Sequence, residues 1–288
     1  MSNIFHQIRY PFTTKFIKLN EFEIAYIDEG TSENILLFIH GLGSYLKAWN
    51  RNIPELKKHF RCIALDLPGY GKSSKKIHSG SVSFYVKMLN EFILKLKLKN
   101  VSLVGHSMGG QLASAYTIEY PDQINKLILV APAGFETFND QEIDLLKKII
   151  SPDILSRTSD NQIRINYQIN FFKMPVEAEE MIDDRIAIKN DEEFFNHCTN
   201  VSNSLFGLLY EPVFNRLKEI HSPTLILFGK SDLLIPNKSI HQTRTEEVAH
   251  LGATQIKNSK VILLDECGHF LQYEKPTEFN SQLISFFK

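Results

Sequence analysis

A serine, an aspartate and a histidine, Ser107, Asp232 and His269, each follow closely on a short apolar run of this 288-residue sequence. A serine hydroxyl is a poor nucleophile until an imidazole accepts its proton. The imidazole in turn needs a carboxylate that fixes its tautomer and stabilises its cation. If the apolar runs are neighbouring strands, their carboxyl ends bring the three side chains to one edge of a sheet. The sequence therefore predicts nucleophilic catalysis by Ser107, with His269 as base and Asp232 as its partner.

The serine lies in a G-x-S-x-G pattern, Gly105-His106-Ser107-Met108-Gly109, between an apolar run and an amphipathic segment. In this strand–turn–helix context the turn forces the serine into a strained backbone conformation and leaves little room for a Cβ at either glycine. The hydroxyl is then presented at a helix N-terminus, where free N–H groups favour developing negative charge. This arrangement is typical of an exposed nucleophile.

Other titratable residues near these motifs have simpler expected roles. We expect His106 to pack beneath the turn and His40 to orient its loop by hydrogen bonding. Asp66 lies in a run dense in turn residues and is expected to shape that loop. Asp265 lies four residues before His269 and competes with Asp232 for the role of its carboxylate partner.

Strands alternate with helices along most of the chain. Apolar runs predict strands at 34–39, 62–65, 101–104, 126–130, 224–228 and 261–264, with two further strands within 15–28. Apolar periodicity predicts helices at 48–59, 81–98, 108–120, 240–251 and 270–287, the last interrupted near Pro276. The alternation predicts an α/β fold with a mostly parallel eight-stranded sheet, helices on both faces and the ligand site at the carboxyl ends of the strands.

Residues 135–215 depart from this alternation and contain only helical signals. Asn139 with Glu142 forms a capping-box pattern, Pro152 and Pro175 each suit a first helical position, and Gly207 suits a helix end. The segment holds 15 acidic and 7 basic residues, whereas the remainder has a basic excess. We expect a core domain of residues 1–134 and 216–288, with residues 135–215 inserted as a helical cap, or lid.

Composition excludes several other classes of protein. A net charge of −1 gives no reason to expect a nucleic-acid partner, and no apolar run is long enough for a membrane span. The N-terminal segment, 1–16, lacks the apolar stretch of a signal peptide. The three cysteines are odd in number and scattered, which favours free thiols in a reducing compartment and therefore a cytoplasmic location. Neither a metal nor another cofactor is predicted.

Five motifs resemble those of the α/β-hydrolase fold family, and the resemblance covers nearly the whole chain. The motifs are HGLG at His40, DLPGYGKS at Asp66, GHSMGG at Gly105, GKSDLLIP at Gly229 and CGHFLQYEKP at Cys267. The chain order of serine, aspartate and histidine is also that of the family. The resemblance favours Asp232 as the catalytic acid, although some members take it from the position that Glu136 occupies here.

The resemblance also implies an oxyanion hole. Its backbone N–H donors would come from Met108, directly after the nucleophile, and from Leu42 in the loop after the third strand. Gly41 and Gly43 would shape that loop, and His40 would support it.

The activity that this resemblance implies is hydrolysis of carboxylic esters through an acyl-enzyme. Residues 135–215 are rich in phenylalanine, which suggests small to medium apolar acyl groups.

Epoxide hydrolases and haloalkane dehalogenases of the family need an aspartate where Ser107 stands. Relatives that cleave carbon–carbon bonds in ring-fission products commonly have asparagine before the serine, where this chain has His106. Thioesters, amides and carbon–carbon bonds remain open as substrates, as does a ligand-sensing role with slow turnover. The oligomeric state is not predicted.

Overall fold

Eight strands form one sheet in the computed structural model, which describes residues 3–288. Residues 1 and 2 of the N-terminal segment considered above lie outside this range. The strands are β1 Lys15–Leu19, β2 Phe22–Glu29, β3 Ile35–Ile39, β4 Arg61–Leu65, β5 Val101–His106, β6 Ile124–Val130, β7 Thr224–Gly229 and β8 Ser259–Leu264. Their order across the sheet is β1-β2-β4-β3-β5-β6-β7-β8. Strand β2 pairs antiparallel with β1 and β4, and the other pairs are parallel, so the predicted eight-stranded, mostly parallel sheet is confirmed.

Burial explains why the central strands are rich in apolar residues. Every residue of β3, β5 and β7 is buried, because helices cover both faces of the sheet. The edge strand β8 is only partly buried. Since β3, β5, β6, β7 and β8 run in the same direction, the loops at their carboxyl ends meet along one edge of the sheet.

The described residues also form twelve α-helices. These are α1 Ile4–Gln7, α2 Ile53–Leu56, α3 Val82–Lys95, α4 Met108–Glu119, α5 Asp140–Ile149, α6 Pro152–Ser156, α7 Asp160–Gln168, α8 Glu179–Ala187, α9 Phe194–Tyr210, α10 Thr245–Gln255, α11 Leu271–Glu274 and α12 Pro276–Phe286. Short 3₁₀ turns occur at Leu46–Trp49, Pro121–Gln123, Val176–Ala178, Ile188–Asn190 and Phe214–Glu219. Helices α5 to α9 lie between β6 and β7, and no strand occurs there in the described chain. The capping box predicted at Asn139 and Glu142 is present at the start of α5.

Four predictions about helices were wrong in part. The helix expected over 48–59 is divided into a 3₁₀ turn and the short α2. Pro175 precedes a 3₁₀ turn, so the helix that follows begins later than expected. Helix α10 begins at Thr245, after the residues from which it was expected. Helix α9 continues through Gly207, because a Cβ there would lie 2.1 Å from the carbonyl oxygen of Gly80. This glycine allows a close approach between two segments and does not end the helix.

Candidate active site

Ser107 occupies a sharp turn between β5 and α4. Its backbone has φ 53° and ψ −118°, a conformation that costs about 1–3 kcal/mol for a residue other than glycine. Surrounding hydrogen bonds hold it there: its N–H donates to the carbonyl of Val130 at 2.9 Å, and its own carbonyl accepts from Ala133 at 3.0 Å. The turn therefore presents the Ser107 side chain at the carboxyl edge of the sheet.

Glycine is required on both sides of the serine because other backbone segments approach closely. A Cβ on Gly105 would lie 2.2 Å from the carbonyl oxygen of Gly109. A Cβ on Gly109 would lie 2.2 Å from the carbonyl oxygen of Ile39, at the end of β3. The G-x-S-x-G pattern thus follows from packing of α4 against the central strands.

His269 and Asp232 form a buried hydrogen-bonded pair. Nδ1 of His269 lies 2.8 Å from Oδ2 of Asp232, so Nδ1 carries the proton and its N–H donates a hydrogen bond to the carboxylate. The other carboxylate oxygen of Asp232 accepts from the backbone N–H groups of Leu234 at 2.8 Å and Ile235 at 3.0 Å. These contacts fix the carboxylate and leave Nε2 of His269 as a proton acceptor.

The two rival carboxylates lie elsewhere. Asp265 pairs with Lys230 at 2.6 Å, and its side chain is 78% exposed. Glu136 is nearly buried, and Oε1 lies 2.5 Å from Nδ1 of His241. The structure therefore places Asp232, and neither rival, against His269.

The loop after β3 lies against the serine turn. A Cβ on Gly41 would lie 3.1 Å from the Cβ of Ser107. His40 fixes this loop, since Nδ1 donates to the carbonyl of Gly41 at 2.8 Å and Nε2 accepts from the N–H of Leu67 at 3.0 Å. Burial lowers the pKa of His40 to about 4, so the ring is neutral and orients the loop as expected.

The expected oxyanion donors are both near Ser107. Met108 begins α4, where first-turn N–H groups have no partner within the helix. Leu42 lines the same cavity as Ser107. Gly43 has φ +66°, a left-handed conformation that glycine adopts readily, which lets the loop turn directly after Leu42.

His106 packs beneath the serine, as expected, and also makes a specific contact. Nε2 donates to the backbone carbonyl of His269 at 3.0 Å, so the serine turn and the histidine loop are joined directly. Burial holds the pKa of His106 well below its ordinary value, which keeps the ring neutral. Its Nδ1 is buried without a hydrogen-bond partner in the structure.

One cavity of about 460 Å³ opens onto both Ser107 and His269. The hydrogen bonds found within residues 3–288 do not include one between these two side chains. Such contacts are often long in unliganded sites and shorten when substrate binds. The cavity wall from the segment between β6 and β7 is largely apolar and includes Leu146, Ile150, Leu205, Leu208 and Leu209.

Sequence analysis missed two polar features of this cavity. Glu136 and His241 form a pair beside it, and His241 also contacts Glu142 at 3.2 Å. Asn170, which precedes no recognisable motif, lines the cavity as well. Both depend on contacts between segments far apart in the chain.

The described residues, 3–288, contain no group of three or more His, Cys, Asp or Glu side chains arranged to hold a metal ion. Cys62, Cys198 and Cys267 are all buried free thiols. Within the same range, no helix combines the length and apolar character needed to cross a membrane.

A family model described as the alpha/beta hydrolase fold matches residues 34–168, a range that includes strands β3 to β6, the serine turn and helix α4. The chain has the α/β-hydrolase fold. It is similar to a 2-hydroxy-6-oxononadienedioate/2-hydroxy-6-oxononatrienedioate hydrolase of Pseudomonas putida, with 28% identity over 95% of this chain and 96% of that protein.

Solved structures agree on the fold over nearly the whole chain. A probable hydrolytic enzyme from Pseudomonas aeruginosa PAO1 superposes with a TM-score of 0.86, at 23% identity over 98% of this chain and 96% of that one. An esterase from Exiguobacterium antarcticum superposes with a TM-score of 0.78, at 23% identity over 95% and 99% of the two chains. Hydrolase activity is the function that the family match and the Pseudomonas putida relative support in common.

Proposed function

We propose that this protein is a serine hydrolase that cleaves carboxylic esters, with Ser107, His269 and Asp232 as its catalytic triad. The observation that supports this most directly is the buried His269–Asp232 hydrogen bond of 2.8 Å beside a cavity that Ser107 also lines. This pair holds the imidazole in the tautomer that leaves Nε2 free to accept the serine proton.

In the proposed reaction, Oγ of Ser107 attacks the ester carbonyl while Nε2 of His269 takes its proton. The resulting oxyanion accepts hydrogen bonds from the backbone N–H groups of Leu42 and Met108. His269 then returns the proton to the departing alcohol, which leaves an acyl group on Ser107. A water molecule activated by His269 releases the acid and regenerates the enzyme.

The cavity supports a neutral, apolar acyl group of small to medium size. Leucine, isoleucine and phenylalanine make up 11 of its 24 lining residues, and none of the lining residues found within residues 3–288 is lysine or arginine. We propose that residues 135–215 act as the cap over the core formed by residues 1–134 and 216–288. Helix α5 of that segment contributes Leu146 to the cavity wall.

Carbon–carbon bond hydrolysis is the second candidate, because the Pseudomonas putida relative acts on an oxo-dienedioate. That substrate name describes a dicarboxylate. A dicarboxylate is bound best where cationic side chains pair with it. Among residues 3–288, the cavity wall includes the carboxyl group of Glu136 and has no lysine or arginine. Residue 106 is also histidine and not the asparagine common in such relatives. These two features favour the ester.

A substrate screen tests the proposal. Purified protein and its Ser107→Ala variant would be assayed with aryl esters of increasing acyl length, matched thioesters and amides, and a 2-hydroxy-6-oxo-dienedioate. We expect turnover of neutral esters with short and medium acyl chains, and loss of that turnover in Ser107→Ala without loss of folded structure. Higher kcat/KM for the dienedioate than for every ester would replace the proposed activity with carbon–carbon bond hydrolysis.

A further inference from the structure

Glu274, at the end of α11, directs its carboxylate to the loop that contains His269. Oε2 accepts a hydrogen bond from the backbone N–H of Gly268 at 2.8 Å, one residue before the histidine. The side chain is half-buried, and none of the ion pairs among residues 3–288 involves it. Backbone N–H groups therefore stabilise the Glu274 carboxylate, and the position of Gly268 depends on this hydrogen bond.

The same carboxylate contacts the segment between β6 and β7. Oε2 also accepts from the N–H of Phe172 at 3.2 Å, and Oε1 accepts from the N–H of Lys173 at 2.6 Å. Hydrogen bonds to a charged acceptor are about twice as strong as neutral ones. One side chain thus bonds two pieces of backbone that are about a hundred residues apart in sequence.

A direct backbone hydrogen bond and close packing also join these same two pieces. The N–H of Phe270 donates to the carbonyl of Asn170 at 3.0 Å. A Cβ on Gly268 would lie 2.6 Å from that carbonyl oxygen, so only glycine permits this approach. The ring of Phe171 packs on that of Phe270, with centroids 5.6 Å apart. The residues on either side of His269 are therefore both bonded to this junction.

We propose that Glu274 is a positioning residue that fastens the His269 loop to residues 170–173 of the proposed cap. The inference rests on the proposed catalytic role of His269. Asp232 fixes the imidazole at Nδ1, but the distance from Nε2 to Ser107 also depends on where the loop backbone lies. Because Glu274 holds the His269 loop backbone against the cap, the position of the catalytic base is coupled to the position of the cap.

Replacing Glu274 with glutamine tests this coupling. The amide keeps the size of the side chain but replaces one acceptor oxygen with an NH2 donor. This donor then faces backbone N–H donors and cannot accept hydrogen bonds from them. Misplacing a catalytic group by about 1 Å can cost on the order of 100-fold in rate, so we expect kcat to fall between about 10- and 100-fold with KM nearly unchanged. Glu278→Gln is the matched control, since Glu278 is 55% exposed on the adjacent α12 and its loss removes the same charge.

Hydrogen exchange supplies a measurement that does not depend on turnover. In the wild type, the amides of Gly268, Phe172 and Lys173 should be protected together. In Glu274→Gln all three should exchange faster, while the amides of β5 stay unchanged. If the wild type hydrolyses no ester, the proposed function fails, and the exchange experiment alone decides whether Glu274 joins the two segments.

Two results would overturn the inference. The first is a folded Glu274→Gln protein with kcat within twofold of the wild type. The second is fast hydrogen exchange of the Phe172 and Lys173 amides in the wild type while the Gly268 amide is protected. This measurement needs only the wild type, so it is valid even if the variant does not fold. A variant that only unfolds more easily, with unchanged kcat per folded molecule, would show a structural role and would also contradict positioning.

Discussion

Replacing Asp232 with asparagine should inactivate the enzyme while preserving the site. The carboxylate has two different tasks: Oδ1 accepts from the N–H groups of Leu234 and Ile235, and Oδ2 accepts from Nδ1 of His269. An asparagine has one acceptor oxygen and one donor nitrogen. If its oxygen faced His269, its nitrogen would face two N–H donors. The favoured orientation therefore keeps the oxygen on the two N–H groups and turns the nitrogen toward His269.

In that orientation the amide donates to Nδ1, and the imidazole proton moves to Nε2. Nε2 can then no longer accept the proton of Ser107. Trapping the wrong tautomer in this way lowers kcat by about 10⁴-fold in a serine protease, which corresponds to about 5.5 kcal/mol of activation free energy. We expect a loss of similar size here, with little change in KM because the cavity is unaltered.

The assay is steady-state hydrolysis of an aryl ester by the wild type and by three variants. Asp265→Asn and Glu136→Gln are the matched controls, because each removes a carboxylate that sequence analysis considered for the same role. Both should retain most of the wild-type kcat. The reasoning is refuted if folded Asp232→Asn keeps more than a small fraction of activity, or if either control loses as much.

Three further perturbations follow from individual contacts. Gly109→Ala would force a Cβ against the carbonyl of Ile39, which is 2.2 Å away, and should lower the free energy of unfolding by about 3 kcal/mol in denaturant titrations; an unchanged midpoint would contradict the packing described. The hydrogen bond to a carboxylate raises the pKa of His241 above its ordinary value of 6.5, so its stabilising contribution is complete below that pH and is lost as pH rises through the raised pKa. The difference in unfolding free energy between wild type and His241→Gln should therefore be larger at acidic than at alkaline pH, and a constant difference would show that the pair does not titrate. His106→Phe removes the donor to the His269 carbonyl and should cost about 1–3 kcal/mol of stability, measured by thermal unfolding; a neutral effect would mean that water replaces the bond.

Sequence reasoning predicted the sheet well because buried strands have an unambiguous pattern. Each residue of β3, β5 and β7 is buried, and each strand contains mainly apolar residues. The glycines around Ser107 were predicted for the right reason, since both lack space for a Cβ. Strand ends and the motifs that follow them were therefore sufficient to bring the candidate residues to one edge.

Helix limits were less predictable because they depend on tertiary contacts. Gly207 has the composition of a helix end, yet it lies inside α9 against the backbone of Gly80. Helix α10 begins where Arg244 and Glu247 form a capping interaction, after the apolar residues that suggested an earlier start. In both cases the deciding contact lies outside the local pattern.

The choice among the three candidate carboxylates also depended on contacts in the folded structure. Asp232, Asp265 and Glu136 were all compatible with the sequence, although the family resemblance favoured Asp232, and their side-chain directions separate them. Glu274 lies within the CGHFLQYEKP motif but was given no role of its own, since a single glutamate gives no local signal for contacts with two distant backbone segments. Contacts of this kind are a property of the packed chain.

The most direct test of the account is to identify the residue that reacts as the nucleophile. A fluorophosphonate, which modifies activated serine hydroxyls, would be added to the wild type and to Ser107→Ala, and the products mapped by peptide mass spectrometry. The account predicts a single adduct on Ser107, loss of ester hydrolysis in step with labelling, and no adduct on the variant. An adduct on another residue, or full ester turnover by Ser107→Ala, would contradict it.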